Sequence, residues 1–143
     1  ALTKLFLPSF ITRGSGRILN VSSIASLVPG PWQATYFAAK AYVTSLTLAL
    51  SEELRGTGVT ATVVLPGGMR TGFEVAAKLE GTCLAAQLTQ SPDDVARRSY
   101  EAMLRGRRKL IAGTPLLQRL LLRLVPFAPT AFVLRVVARL HKR

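Results

Sequence analysis

The sequence holds a single cysteine, Cys83, and a single histidine, His141. Neither a disulfide framework nor a Cys/His zinc site can be built from them. With no metal ligand set expected, chemistry has to come from hydroxyls, amines, carboxylates or a borrowed cofactor. Acidic residues are also scarce, seven against nineteen Lys and Arg. Residues 97–143 contain one acid, Glu101, beside twelve basic residues, whereas residues 1–96 carry seven basic and six acidic. The net charge of +12 is thus a property of the C-terminal third. The apolar C-terminal stretch has no window of about 20 residues free of Arg and Pro, which argues against a transmembrane span. No cationic stub, short apolar run and small-residue cleavage site opens the chain, so a cytoplasmic setting is the default expectation.

What is present suits one folded domain. The length of 143 residues and a hydrophobic content of 49% are enough to bury a core. "RILNVSS" (Arg17–Ser23) and "GVTATVVLPGG" (Gly58–Gly68) are β-prone runs without strict alternation, as parallel strands covered on both faces should be. Between them, Gln33 to Arg55 is Ala- and Leu-rich, free of Pro and Gly, and stopped at Gly56, which predicts a helix and hence a βαβ unit. A further helix is predicted from Ser91 as N-cap, with Pro92 in the first turn, and a third strand at Lys109–Gly113. From Pro115 onward, leucines recur at helical spacing with Arg119 and Arg123 four apart. "PFAPT" then breaks the run before Arg135 and Arg139, again four apart, giving two basic amphipathic helices.

Tyr36 and Lys40 lie four positions apart on the predicted helix, so their Cβ atoms sit about 5–6 Å apart on one face. At about 4 Å and an effective dielectric near 20, an ammonium stabilises a neighbouring phenolate by roughly 4 kcal/mol. A tyrosine so placed can exchange a proton with a substrate oxygen. By itself the pair also fits a packed ring beside a solvated amine. Ser23 stands thirteen residues before Tyr36, at the carboxyl end of a predicted parallel strand, where ligands of open α/β sheets bind. A serine there is equally at home as a turn or cap, and Ser22 and Ser26 are read as such.

Three linked motifs decide between these readings. "NVSS", "Tyr36-Phe-Ala-Ala-Lys40" and "Pro66-Gly67-Gly68-Met69-Arg70-Thr71" resemble the N-x-S-S, Y-x-x-x-K and P-G-x-x-x-T signatures of the short-chain dehydrogenase/reductase family, in order and with the family's serine-to-tyrosine gap. The resemblance implies an α/β fold, here a partial Rossmann-like, doubly wound parallel sheet of about three strands with flanking helices. It covers residues 1–113, leaving 114–143 as a basic amphipathic helical tail. It further implies NAD(P)(H) as cofactor and a carbonyl or alcohol as substrate. Tyr36 would be the general acid or base. Lys40 would stabilise its phenolate form and bind the nicotinamide ribose, and Ser23 would hold the substrate oxygen. Pro66 and Gly67 would border the nicotinamide, Met69 and Thr71 would contact its carboxamide or the pyrophosphate, and Gln33 the substrate. A homo-oligomer is the family expectation, through residues 1–12 and 41–55, and the segment 72–90 would form most of the substrate pocket.

The family's G-x-x-x-G-x-G turn and its catalytic asparagine have no counterpart here. With a start at Ala1 inside helical text, the sequence reads as the C-terminal half of such an enzyme. It is expected to bind nicotinamide cofactors poorly and to leave the strand containing Asn20 as an open sheet edge. An alternative is a cofactor-incompetent module for dimerisation or for anionic-membrane contact. The tail itself admits two readings, a solvated arginine face over core-packing leucines, or a peripheral contact with anionic lipid. Nucleic acid is the less suitable partner, because apolar stripes suit lipid better than phosphate and no nucleic-acid module is recognisable.

Overall fold

The computed structural model describes residues 2–69 and 90–140. Helix α1 (Leu2–Arg13) leads into strand β1 (Gly16–Val21), a 3-10 turn (Ile24–Leu27) and helix α2 (Ala34–Glu53). Strand β2 (Val59–Pro66), helix α3 (Pro92–Leu104) and strand β3 (Lys109–Ala112) complete the layered body. Helix α4 (Leu116–Leu124), a 3-10 turn (Val125–Phe127) and helix α5 (Thr130–Leu140) form the tail. The predicted strands and helices are therefore all present, with ends shifted by one or two residues. Helix α2 stops just short of Gly56, whose φ of +81° only glycine takes up freely.

The three strands are parallel in the order β1-β2-β3. Register runs from Gly16↔Val59 to Val21↔Val64, and from Val63↔Lys109 to Pro66↔Ala112. Central β2 is covered on both faces, which is why its Val- and Thr-rich sequence does not alternate with polar residues. Val59 and Ala61 pack with Leu54 against Leu7, Phe10 and Leu50 of α1 and α2. Val64 turns the other way, to Val95 of α3 and Ala112 of β3. Helices thus cover both sides of the sheet, the doubly wound arrangement. Among the described residues β1 pairs only with β2.

Ser91 occupies the N-cap of α3 as expected, though its side chain makes no capping bond, and Asp93 and Asp94 supply negative charge in the first turn. The two tail helices behave oppositely. α5 buries Val133 and Val137 against Phe37 of α2, whereas α4 has no buried residue and five of its six leucines are exposed.

Candidate active site

The site is organised by polar residues sealed between β1 and α2. Asn20, Thr44 and Thr47 are unusual choices for a strand-helix seam, and each is spent on a neighbour. Asn20 Nδ2 donates to Thr47 Oγ1 at 2.9 Å, and that hydroxyl donates to Val43 O at 2.7 Å. Ser22 Oγ lies 2.8 Å from Lys40 O and 2.7 Å from Thr44 Oγ1. If the Ser22 proton goes to the carbonyl, which can only accept, the Thr44 hydroxyl must be the donor in the second bond. These bonds satisfy the buried hydroxyls and fix the rotation of α2 about its axis. Spacing alone gave no sign of this seam, although Thr44 and Thr47, three apart and buried on one face of a mostly apolar helix, are the feature that marks it.

With α2 held so, Lys40 reaches the tip of β1. Its Nζ donates to Val21 O at 3.2 Å and stands 5.8 Å from the centroid of the Tyr36 ring. Tyr36 is half-buried and meets Phe37 edge-on, centroids 5.9 Å apart. Phe37 in turn is sealed by Val133 and Val137, with Ala25, Val28, Val125 and Ala128 around them. Gly30 makes this possible, because a Cβ there would come within 2.2 Å of the Phe37 ring.

Ser23 follows Val21 by two residues and caps the 3-10 turn, its Oγ accepting from Ala25 N at 3.1 Å. Its carbonyl takes the Ser26 hydroxyl at 2.7 Å, so Ser26 has the turn role read from sequence, whereas Ser22 is structural in a different way, buried in the seam rather than in a turn or cap. Ser22 N donates to Val64 O at 2.8 Å, which aligns the tips of β1 and β2. Pro66 ends β2 and is buried. Gly67 N donates to Ala112 O at 2.8 Å, and a Cβ on Gly67 would press to 2.7 Å from Gly113 O. Met69 bridges to Gln90 and packs beside Val64. Ser23, Lys40, Pro66, Gly67 and Met69 accordingly gather at the carboxyl edge of the sheet. Gln33 is the half-buried N-cap residue of α2, bonded through its backbone to Gly30 O. Thr71 and residues 72–89 of the segment read as the substrate pocket lie outside the described residues.

Trp32 is the residue that sequence reading missed. It stands in the loop just before Gln33 with φ of +70°, the left-handed region that bulky side chains avoid, and it is 78% exposed. Strain of this kind collects at functional loops, but no sequence pattern announces it.

A serine at a strand tip and a Tyr/Lys pair on the crossover helix, at the carboxyl edge of a parallel sheet, coincide with a match of residues 1–80 to the family model described as short chain dehydrogenase. The chain belongs to the short-chain dehydrogenase family. Its likeness to ketoacyl reductase HetN of Nostoc sp. is 36% identity over 135 residues, 91% of this chain and 46% of HetN. A solved short-chain dehydrogenase of Burkholderia phymatum in complex with NAD shares the fold with a TM-score of 0.69 at 25% identity, over 85% of this chain and 51% of that one. A 7β-hydroxysteroid dehydrogenase structure matches with a TM-score of 0.74 at 23% identity, over 94% and 52%. This short-chain dehydrogenase chain therefore spans about half the length of the relatives it matches.

Proposed function

We propose that this chain carries the proton-transfer and substrate-holding part of a nicotinamide-dependent oxidoreductase acting on a carbonyl or alcohol. The observation that carries the reading is the position of Lys40, whose amine touches the β1 tip beside Ser23 while lying 5.8 Å from the Tyr36 ring centroid. For reduction, Ser23 O–H would hold the substrate oxygen and Tyr36 would give it the phenolic proton. The Lys40 ammonium would stabilise the phenolate left behind. In oxidation the same proton returns to Tyr36. A bound nicotinamide would supply or accept the hydride.

The residues present fit one end of that cofactor. Lys40 spends one N–H on Val21 O and keeps two for ribose hydroxyls, and Pro66, Gly67 and Met69 border the same edge. For the pyrophosphate end, residues 1–143 contain no G-x-x-x-G-x-G turn, so most of the dinucleotide's binding energy has no source. The chain by itself is expected to bind NAD(P)H weakly, and a tight, saturable fluorescence titration would contradict this. In a protein that joins residues 1–143 to a dinucleotide-binding segment, Tyr36→Phe is expected to lower kcat by about 10²–10⁴ without unfolding the chain. Unimpaired turnover would reject the assignment.

A second reading, an association module without activity, draws support from the exposed apolar residues Leu2, Leu5, Phe6 and Ile11 of α1 and Tyr42 of α2. A homo-oligomer through these helices is compatible with the enzymatic reading. A dimer that forms while every carbonyl substrate goes unreduced would favour the module.

A further inference from the structure

Helix α4 is amphipathic in the reverse sense. Five of its six leucines, at 116, 117, 120, 121 and 124, fall on one side of a helix of 3.6 residues per turn, and that side points away from the body, each of the five 54–82% exposed. The half-buried residues are instead Gln118, Arg119 and Leu122, and Arg119 Nε is buried with no hydrogen-bond partner among the described residues. An amphipathic helix normally does the opposite, because leaving leucines in water forgoes their burial. Phe127, in the turn that follows, is 85% exposed and extends the apolar surface.

The next helix is seated in the ordinary sense. α5 buries Val133 and Val137 on Phe37 and sends Arg135 and Arg139 outward. By helical spacing Arg123 borders the leucine face of α4, and Arg135 and Arg139 of α5 are exposed as well. Between residues 102 and 143 there are ten Lys and Arg and no Asp or Glu.

We infer that α4, the Val125–Phe127 turn and α5 form a docking surface for an anionic lipid bilayer, with the α4 leucines and Phe127 entering the acyl boundary and the arginines meeting headgroup phosphates. Charge selects this occupant. A second copy docked face to face would bring two sets of arginines together with no carboxylate from the tail to offset them. Duplex nucleic acid would answer the arginines but leave five leucines uncovered. A lipid interface satisfies both. No described helix is long and apolar enough to cross a membrane, so the tail lies on the surface.

The test is flotation of the 143-residue chain with phosphatidylcholine vesicles, with and without phosphatidylglycerol; flotation separates lipid-bound protein from aggregate. Binding is expected to be at least about tenfold stronger with the anionic lipid, the arginines each adding attraction near a charged surface. Leu120→Glu with Leu121→Glu should abolish it. Arg123→Gln with Arg135→Gln should remove the anionic preference. All of these side chains are exposed, and far-UV circular dichroism would verify that each variant stays folded. Equal flotation on both vesicles, no flotation, or flotation that survives the Leu→Glu pair would overturn the inference. So would sedimentation showing a dimer that the Leu→Glu pair dissociates, or tighter binding to a DNA duplex than to anionic vesicles.

Discussion

The Ser22 hydroxyl lies 2.7 Å from that of Thr44 and 2.8 Å from the Lys40 carbonyl, inside the seam between β1 and α2. One buried serine thereby ties the strand tip that carries Ser23 to the helix turn that carries Lys40. Ser22→Ala would leave the Thr44 hydroxyl short of a partner and is expected to cost about 1–3 kcal/mol, the range for a buried polar group left unpaired. Urea unfolding with an unchanged m-value would measure it. A cost near zero would mean the seam is not what positions α2.

Gly30 and Phe37 should behave as a coupled pair. A Cβ at residue 30 would collide with the Phe37 ring, so Gly30→Ala is expected to destabilise by about 1–3 kcal/mol through overpacking. In a Phe37→Leu background the same substitution should cost less. A double-mutant cycle giving no coupling would refute the close approach.

Trp32 stores strain that a smaller residue would release. Left-handed backbone costs a residue with a Cβ roughly 1–2 kcal/mol, and the exposed indole offsets little of this through burial. Trp32→Gly regains that amount but adds unfolded-state entropy of about 0.5–1 kcal/mol. The expected outcome is a thermal midpoint that is unchanged or slightly raised. A large drop would show that the indole holds the loop.

The ion pair between Glu52 of α2 and Arg108 in the turn before β3 predicts a pH dependence. Glu52 accepts from Arg55, in the turn just past the end of α2, and from Arg108 at 2.9 Å. Hydrogen bonding from Arg55, aided by the charges of Arg55 and Arg108, holds its carboxyl below the ordinary value of 4.5. Because the folded pKa is depressed, the pair's contribution is present above pH 4.5 and is lost as the pH falls through the folded value. The gap in stability between wild type and Glu52→Gln is expected to be small, since both partners are exposed, and to shrink in salt. A gap that persists at low pH would rule this account out.

Much of the site was legible beforehand because it is local. Tyr36 and Lys40 share a helix face by spacing alone, and the strand ends at Ser23 and Pro66 are marked by a change from β-branched residues to Ser, Pro and Gly. The sealing role of Asn20, Ser22, Thr44 and Thr47 was not legible. Each bond joins residues more than twenty positions apart or depends on which way a hydroxyl turns, and neither leaves a periodic trace. Trp32 escaped for a similar reason, since left-handed backbone at a tryptophan is imposed by what surrounds the loop.

The tail divides the two kinds of information most sharply. Amphipathicity of both tail helices, their break at Pro126–Pro129 and their positive charge follow from the order of residues, because helical periodicity and composition are properties of the chain itself. Which side of each helix meets the body does not follow. That choice rests on Val133 and Val137 finding Phe37 across about a hundred residues of chain, and only the packed structure turns the α4 leucines outward.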